Sequence, residues 1–99
     1  MVEPEYWGLL GRMKAMPGKR DELIAALKDS SREVPGKLVY LIQLEQGDPD
    51  AFWINEIWES KAAYDDCLTL PQVLKGMELC RPLLAGIEHR TETIPLGLP

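Results

Sequence analysis

The feature that most constrains this chain is a pair of β-rich segments, Leu38 to Gln46 (LVYLIQLEQ) and Phe52 to Glu59 (FWINEIWE), on either side of Gly47-Asp48-Pro49-Asp50. Gly, Asp and Pro clustered between two β-rich runs specify a turn, so the two segments form a hairpin. Alternate residues of a strand point to opposite faces. Leu38, Tyr40, Ile42 and Leu44 therefore share one face, and Val39, Leu41 and Gln43 the other. In the second strand Phe52, Ile54, Glu56 and Trp58 lie together, opposite Trp53, Asn55 and Ile57. Both faces carry large apolar groups, while helices packed on one face cover only that face. The uncovered face then exceeds the apolar patch that a soluble monomer ordinarily exposes. A second copy, sheet against sheet about a two-fold axis, would bury it, and a homodimer is expected.

The elements around the hairpin complete the topology. Tyr6 to Met16 reads as a first strand that stops at Pro17-Gly18. Gly18 to Val34 reads as a helix with Asp21 and Glu22 in its first turn, where negative charge suits the helix dipole, and an apolar stripe of Leu23, Ile24, Leu27 and Val34. Pro35-Gly36 ends it. After the hairpin, Ser60 is placed to cap a short helix, Lys61 to Leu68, and Pro71 to open another, Pro71 to Leu84. Val73, Leu74, Met77, Cys80 and Leu84 recur along the latter at helical spacing, and Pro82 should shorten or bend its end. Gly86 releases the chain into a last strand, Ile87 to Ile94, followed by an irregular tail, 95–99. The order is βαββαβ with the second helical unit broken in two, an α+β ferredoxin-like arrangement with a four-stranded antiparallel sheet. Ninety-nine residues without a linker or internal repeat make one domain, with its core over 6–94.

Composition excludes several function classes. There are 11 basic and 16 acidic residues, net charge −5, with no basic block of the kind that tracks nucleic acid. The apolar runs are a few residues long against the roughly 20 that span a bilayer, and Met1-Val2-Glu3-Pro4-Glu5 is acidic where a signal peptide is basic, so a cytoplasmic protein is expected. Cys67 and Cys80 form no CxxC motif, and with a single histidine the chain is short of zinc ligands. Two buried free thiols suit a reducing compartment. No glycine-rich loop marks a dinucleotide site, and no cofactor or metal is expected.

Pro17-Gly18-Lys19 before an amphipathic helix, Pro35-Gly36 before a strand containing Tyr40, and Asp48-Pro49 in a hairpin followed by Phe52, Glu56-Ile57-Trp58-Glu59-Ser60 and an Ala62-containing helix together resemble the antibiotic biosynthesis monooxygenase (quinol monooxygenase-like) domain. The resemblance runs from Tyr6 to Leu84, and Glu-x-Trp-x-Ser is its most specific element. It implies the dimeric α+β barrel fold. The family includes cofactor-independent oxygenases of polycyclic phenols and quinols, haem-degrading enzymes and an isomerase of a signalling sugar derivative. Nine residues after Trp58, where many members carry histidine, this chain has Cys67, and the helix that holds the haem ligand in the haem-degrading members has no histidine here. The resemblance therefore implies a cofactor-independent monooxygenase acting on a quinol or polycyclic phenol with O2. An isomerase, or a dimer that binds a small molecule without reaction, is the alternative.

A cofactor-free oxygenase has to deprotonate an electron-rich phenol or enol, because the anion can pass an electron to O2. It needs a base, aromatic walls and exclusion of water. Trp58 ends the second hairpin strand and Tyr64 follows six residues later on a helix, so both can reach one pocket, and related oxygenases use a Trp and a Tyr at that spacing. Either can equally be a core residue. Glu56 shares the inward parity of Ile54 and Trp58 and is a candidate base, or the partner of an Arg or Lys. His89, between Glu88 and Arg90, is the second candidate base, because histidine is the side chain that titrates near neutrality. Arg12, with Lys14 on the same parity, and Arg81 are candidates to bind an anionic substrate. Cys67 is expected to be inert, its thiol raised by Asp65 and Asp66.

Overall fold

The computed structural model describes residues 6–97. The acidic N-terminal stretch and the last two residues of the expected tail lie outside them. Four strands form one antiparallel sheet: β1 (Trp7–Ala15), β2 (Lys37–Leu44), β3 (Ala51–Trp58) and β4 (Leu84–Thr93), in the spatial order β2-β3-β1-β4. With α1 (Arg20–Ser30), α2 (Lys61–Cys67) and α3 (Pro71–Cys80) this is the ferredoxin-like α+β arrangement.

Local chemistry explains where the elements start and stop. Met16-Pro17-Gly18-Lys19 closes a tight turn through Lys19 N–H donating to Met16 C=O at 2.9 Å, with Gly18 at φ 76°. A proline followed by a residue of positive φ is the type II signature, and it is why glycine stands there. Helix α1 is shorter than the expected Gly18 to Val34. Ser30 and Ser31 hydroxyls donate back to the carbonyls of Leu27 and Lys28, each at 3.1 Å, and Glu33 turns the chain at φ 52°. Serine competing for carbonyls and the exclusion of helical geometry before Pro35 both end the helix early. Val34 still reaches the core, but from the loop.

Ser60 caps α2 as expected, its hydroxyl accepting from Ala63 N–H at 3.1 Å. Pro71 opens α3, and Pro82 limits it. Proline has no N–H to continue the helical ladder, so Arg81–Leu83 tightens into a 3₁₀ turn and β4 begins at Leu84, three residues earlier than expected. Leu84 is thus a strand residue, while Leu74 and Met77 of the expected helical stripe are half exposed; Val73 and Cys80 are the positions that face inward.

Register divides the sheet cleanly into two faces. On the helix side, cross-strand rows run Lys37-Trp58-Trp7, Tyr40-Glu56-Leu9-Glu92, Ile42-Ile54-Gly11-Arg90 and Leu44-Phe52-Met13-Ile87. On the open side they run Val39-Ile57-Gly8-Thr93, Leu41-Asn55-Leu10-Thr91 and Gln43-Trp53-Arg12-His89. The parities inferred from sequence hold with one exception. A bulge between Lys37 and Val39 leaves Leu38 unpaired and half exposed, and brings Lys37 onto the helix side opposite Trp58.

The helix-side core consists of two clusters. One joins Trp7, Leu9, Val34, Trp58 and Cys67, with Tyr64 and Val73 against it. The other joins Ala15, Leu23, Phe52, Ile54 and Cys80, with Met13, Leu27, Tyr40 and Ile42 against it. Phe52 and Leu23 are fully buried, each contributing roughly 1.5–3 kcal/mol. Helices α1 and α3 meet at Gly76, where a Cβ would collide with Ser30. Gly76→Ala should gain about 1 kcal/mol of helix propensity but lose more by forcing the helices apart. A net loss of about 1–2 kcal/mol is expected in urea unfolding. Adding Ser30→Gly, which removes the colliding atom, should recover part of it.

Candidate functional site

Between the two clusters lies a cavity of about 330 Å³, at the lower end of the size range of small-molecule pockets. Trp58, Tyr64, Cys67 and Val73 wall it from the first cluster; Met13, Leu23, Ile54 and Cys80 wall it from the second. Leu68, Met77, Arg81 and Ile87 also line it while remaining exposed, so they mark its rim.

The aromatic side is built across three elements. Tyr64 on α2 stands between two tryptophans, its ring centroid 4.6 Å from that of Trp7 and 5.6 Å from that of Trp58, the latter edge-on at 76°. Each such contact adds about 0.5–1.5 kcal/mol beyond burial and holds Tyr64 in place. Trp7 is in turn fixed by its indole N–H donating to Glu92 Oε1 at 2.9 Å.

Glu56 is the carboxylate among the cavity's lining residues. Its Oε1 accepts from the Trp58 indole N–H at 3.0 Å. Burial among apolar walls pushes the carboxyl above its ordinary range, and the Trp58 hydrogen bond and the charges of Lys37 and Arg90 only partly oppose this. Tyr40, its neighbour across the strands, is also raised, first by burial and then by the charge of Glu56. Its hydroxyl is therefore a proton-bearing, neutral group. Lys37 completes the polar set. Its ammonium donates to the Ser31 carbonyl, and burial lowers it below the usual lysine range.

Glu56, Trp58, Tyr64 and Arg81 are thus brought together around one cavity. Arg12 and His89 stand on the other face of the sheet. There Arg12 binds Glu45 through two parallel bonds of 2.8 Å and approaches Asp48 at 3.4 Å and Glu88 at 3.7 Å. Lys14 reaches Asp48 at 3.0 Å, and Trp53 donates to Glu45 at 2.9 Å. His89 lies 5.8 Å from the Trp53 ring and shares a 2.6 Å hydrogen bond with Thr91. Cys67 and Cys80 are free, buried and raised; for Cys67 the first cause is burial and the second Glu56, with Asp65 a minor contributor.

Sequence reasoning missed Lys37, Tyr40 and Trp7. Tyr40 was accessible from parity, since it shares the inward face of Ile42 opposite Glu56. Trp7 follows only from register, and Lys37 only from the bulge. Among the described residues no group of three or more His, Cys, Asp or Glu side chains converges as a metal would require, and no helix is long and apolar enough to cross a membrane.

A ferredoxin-like sheet with a polar-tipped aromatic cavity beneath its helices defines the class. The sequence profile of the antibiotic biosynthesis monooxygenase family matches residues 8–79, and the chain belongs to that family. A Chloroflexus aurantiacus J-10-fl protein that carries the family's name is 40% identical, with a TM-score of 0.92 over 95% of this chain and 96% of that one. A Bacteroides thetaiotaomicron VPI-5482 protein of the same family name is 28% identical, TM-score 0.83, over 96% and 95% of the two chains. A Pseudomonas aeruginosa protein, 20% identical with a TM-score of 0.81 over 98% and 100%, shares the fold. No curated protein matches the chain.

The two faces carry carboxylates shifted in opposite directions, which makes stability depend on pH from both sides. The Arg12 hydrogen bond, then that of Trp53, holds Glu45 down to about 2, against an ordinary 4.5, and Asp48 is lowered by the Asp50 N–H and by Lys14. Stability from these depressed groups is present above the ordinary value and lost as pH falls towards 2. Glu56 is raised, so its contribution is present below the ordinary value and lost as pH climbs through its folded one. Melting temperatures from pH 2 to 9 should show Arg12→Met flattening the acid limb. Glu56→Gln should melt above wild type once the pH rises beyond the ordinary carboxylate range, and not below it.

Proposed function

We propose that the protein is an oxidoreductase, a monooxygenase that binds a quinol or polycyclic phenol in the cavity and works without a cofactor. The observation that carries this reading is a carboxylate raised by burial, tied to an indole, and facing an aromatic-walled space. Glu56 takes the phenolic proton, and the ring anion passes one electron to O2. Superoxide and the ring radical then join at carbon, and the peroxide takes a proton from Glu56. Loss of water, with the hydrogen on that carbon, leaves a carbonyl, so that phenol and O2 give quinone and water. Trp58 and Tyr64 serve as walls that hold the ring and exclude water. Arg81, at the rim, meets anionic substituents of the substrate. Arg12, engaged by Glu45 and Asp48, and His89, on the far face, take no part in this scheme.

The reading also makes the protein a cytoplasmic homodimer. Its two free thiols suit a reducing compartment. The open face carries Leu10, Val39, Leu41 and Ile57 in adjacent rows, with Leu41 47% exposed and no helix over it among the described residues. A second copy buries this strip. Leu41→Glu should therefore convert dimer to monomer in analytical ultracentrifugation while leaving the far-ultraviolet circular dichroism unchanged.

Oxygen uptake with quinols and anthrone-like phenols, using metal-stripped and flavin-free protein, tests the chemistry. Turnover is expected, with kcat lowered about 10²–10⁴-fold in Glu56→Gln. The acid limb of kcat/KM should have its midpoint above the ordinary carboxylate range, because Glu56 acts as a base only when ionised. Trp58→Phe and Tyr64→Phe should reduce turnover. Uptake unaffected by all three variants would place the reaction elsewhere.

A further inference from the structure

The cavity contains a cation that its base alone does not explain. Pro35-Gly36 leads directly into β2, and the bulge after Lys37 turns that side chain onto the helix side, where it lines the cavity opposite Trp58. The ammonium donates to the Ser31 carbonyl and stands 5.2 Å from the centroid of the Tyr40 ring. An ammonium has three donors, and Ser31 takes one. Among the described residues Lys37 makes no ion pair within 4 Å, and neither does Glu56, which accepts from the Trp58 indole. The open face is different, since Arg12, Lys14, Glu45 and Asp48 neutralise one another there. Inside the cavity an ammonium and a carboxylate face the same apolar space without closing on each other.

Proton transfer supplies the reason such a cation is required. A phenol of ordinary acidity titrates about six units above a carboxylate, and each unit is a factor of ten against transfer. Raising Glu56 closes part of that gap. A positive charge beside the resulting anion closes more, because attraction strengthens where water is sparse.

We propose that Lys37 is a substrate-binding residue that seats the ionised hydroxyl of a phenol, so that the cavity selects ligands able to bind as phenolate. The anionic oxygen lies at the ammonium, the proton rests on Glu56, and the ring lies against Trp58 and Tyr64. Burial already holds Lys37 below the usual lysine range, as expected for a charge short of partners that an anion would supply. The ionisable groups that share the cavity with it are Glu56 on β3, Tyr40 on its own strand, Tyr64 and Cys67 on α2, Cys80 on α3 and Arg81 in the 3₁₀ turn. Of these, Arg81 is the other cation, exposed at the rim. The inference rests on the cavity being a phenol site, but not on the oxygenase chemistry.

p-Nitrophenol, whose anion is yellow, reports its own ionisation and serves as the probe. Absorbance titrations against wild type should show it bound as nitrophenolate, with its ionisation midpoint at least one pH unit below that of the free phenol. Nitrobenzene, which lacks the hydroxyl, should bind at least tenfold more weakly. Lys37→Met should abolish the shift and lose at least tenfold in affinity, while Lys37→Arg, which keeps the charge, should retain most of both. Equal affinity for the two probes in wild type, or an unshifted midpoint, overturns the proposal without any variant. A Lys37→Met protein that melts normally and binds nitrophenolate as wild type does also overturns it. Lys37-dependent nitrophenolate binding without oxygen uptake on any phenol upholds this assignment and removes the oxygenase reading alone.

Discussion

The arrangement depends on one carboxylate in an inward row of otherwise apolar side chains. Along the helix-facing side of β3 the residues are Phe52, Ile54, Glu56 and Trp58, and Glu56 falls between Ile54 of one core cluster and Trp58 of the other. A carboxylate in a dry wall is costly unless it has hydrogen-bond partners or accepts a proton. The cavity lies between the two clusters, with Glu56 in its wall.

That division also distributes the charges. Where the sheet is open, cations and carboxylates close into the network of Arg12, Lys14, Glu45 and Asp48 at the hairpin end, and Arg20 donates to the carbonyls of Asp48 and Ala51 at 3.1 and 3.2 Å beside it. These contacts secure the turn that sets the register of β2 against β3. Inside the cavity Lys37 and Glu56 make no ion pair among the described residues and are held instead by a carbonyl and an indole. The same residue types thus do opposite work on the two faces. On the open face, charges within 4 Å of one another settle locally, whereas in the cavity they are turned towards a space.

Much of the fold was legible in the sequence because it is written in local rules. Pro17-Gly18 makes its turn through backbone geometry, Ser60 caps α2 through one hydroxyl, and parity places Ile54, Glu56 and Trp58 together. The element ends were less legible. Helix α1 stops at Ser30 through serine back-bonding, and β4 starts at Leu84 because Pro82 ends α3. Of the seven candidate residues, Glu56, Trp58, Tyr64 and Arg81 meet at one cavity, since the first two share a strand face and the others lie on elements packed over it. Arg12 and His89 are directly opposed in the register and face away, as the parity of β1 against β3 requires.

The sequence by itself determined the order of the elements, the hairpin and the inward position of Glu56, because each follows from turn chemistry or a two-residue period. Only the tertiary structure decided which strands are neighbours at each row, and hence that Trp7 and Trp58 hold Tyr64 between them. It also decided that Lys37 belongs to the cavity. A bulge shifts a side chain from one face to the other, and its position depends on how two strands align rather than on either strand's own pattern.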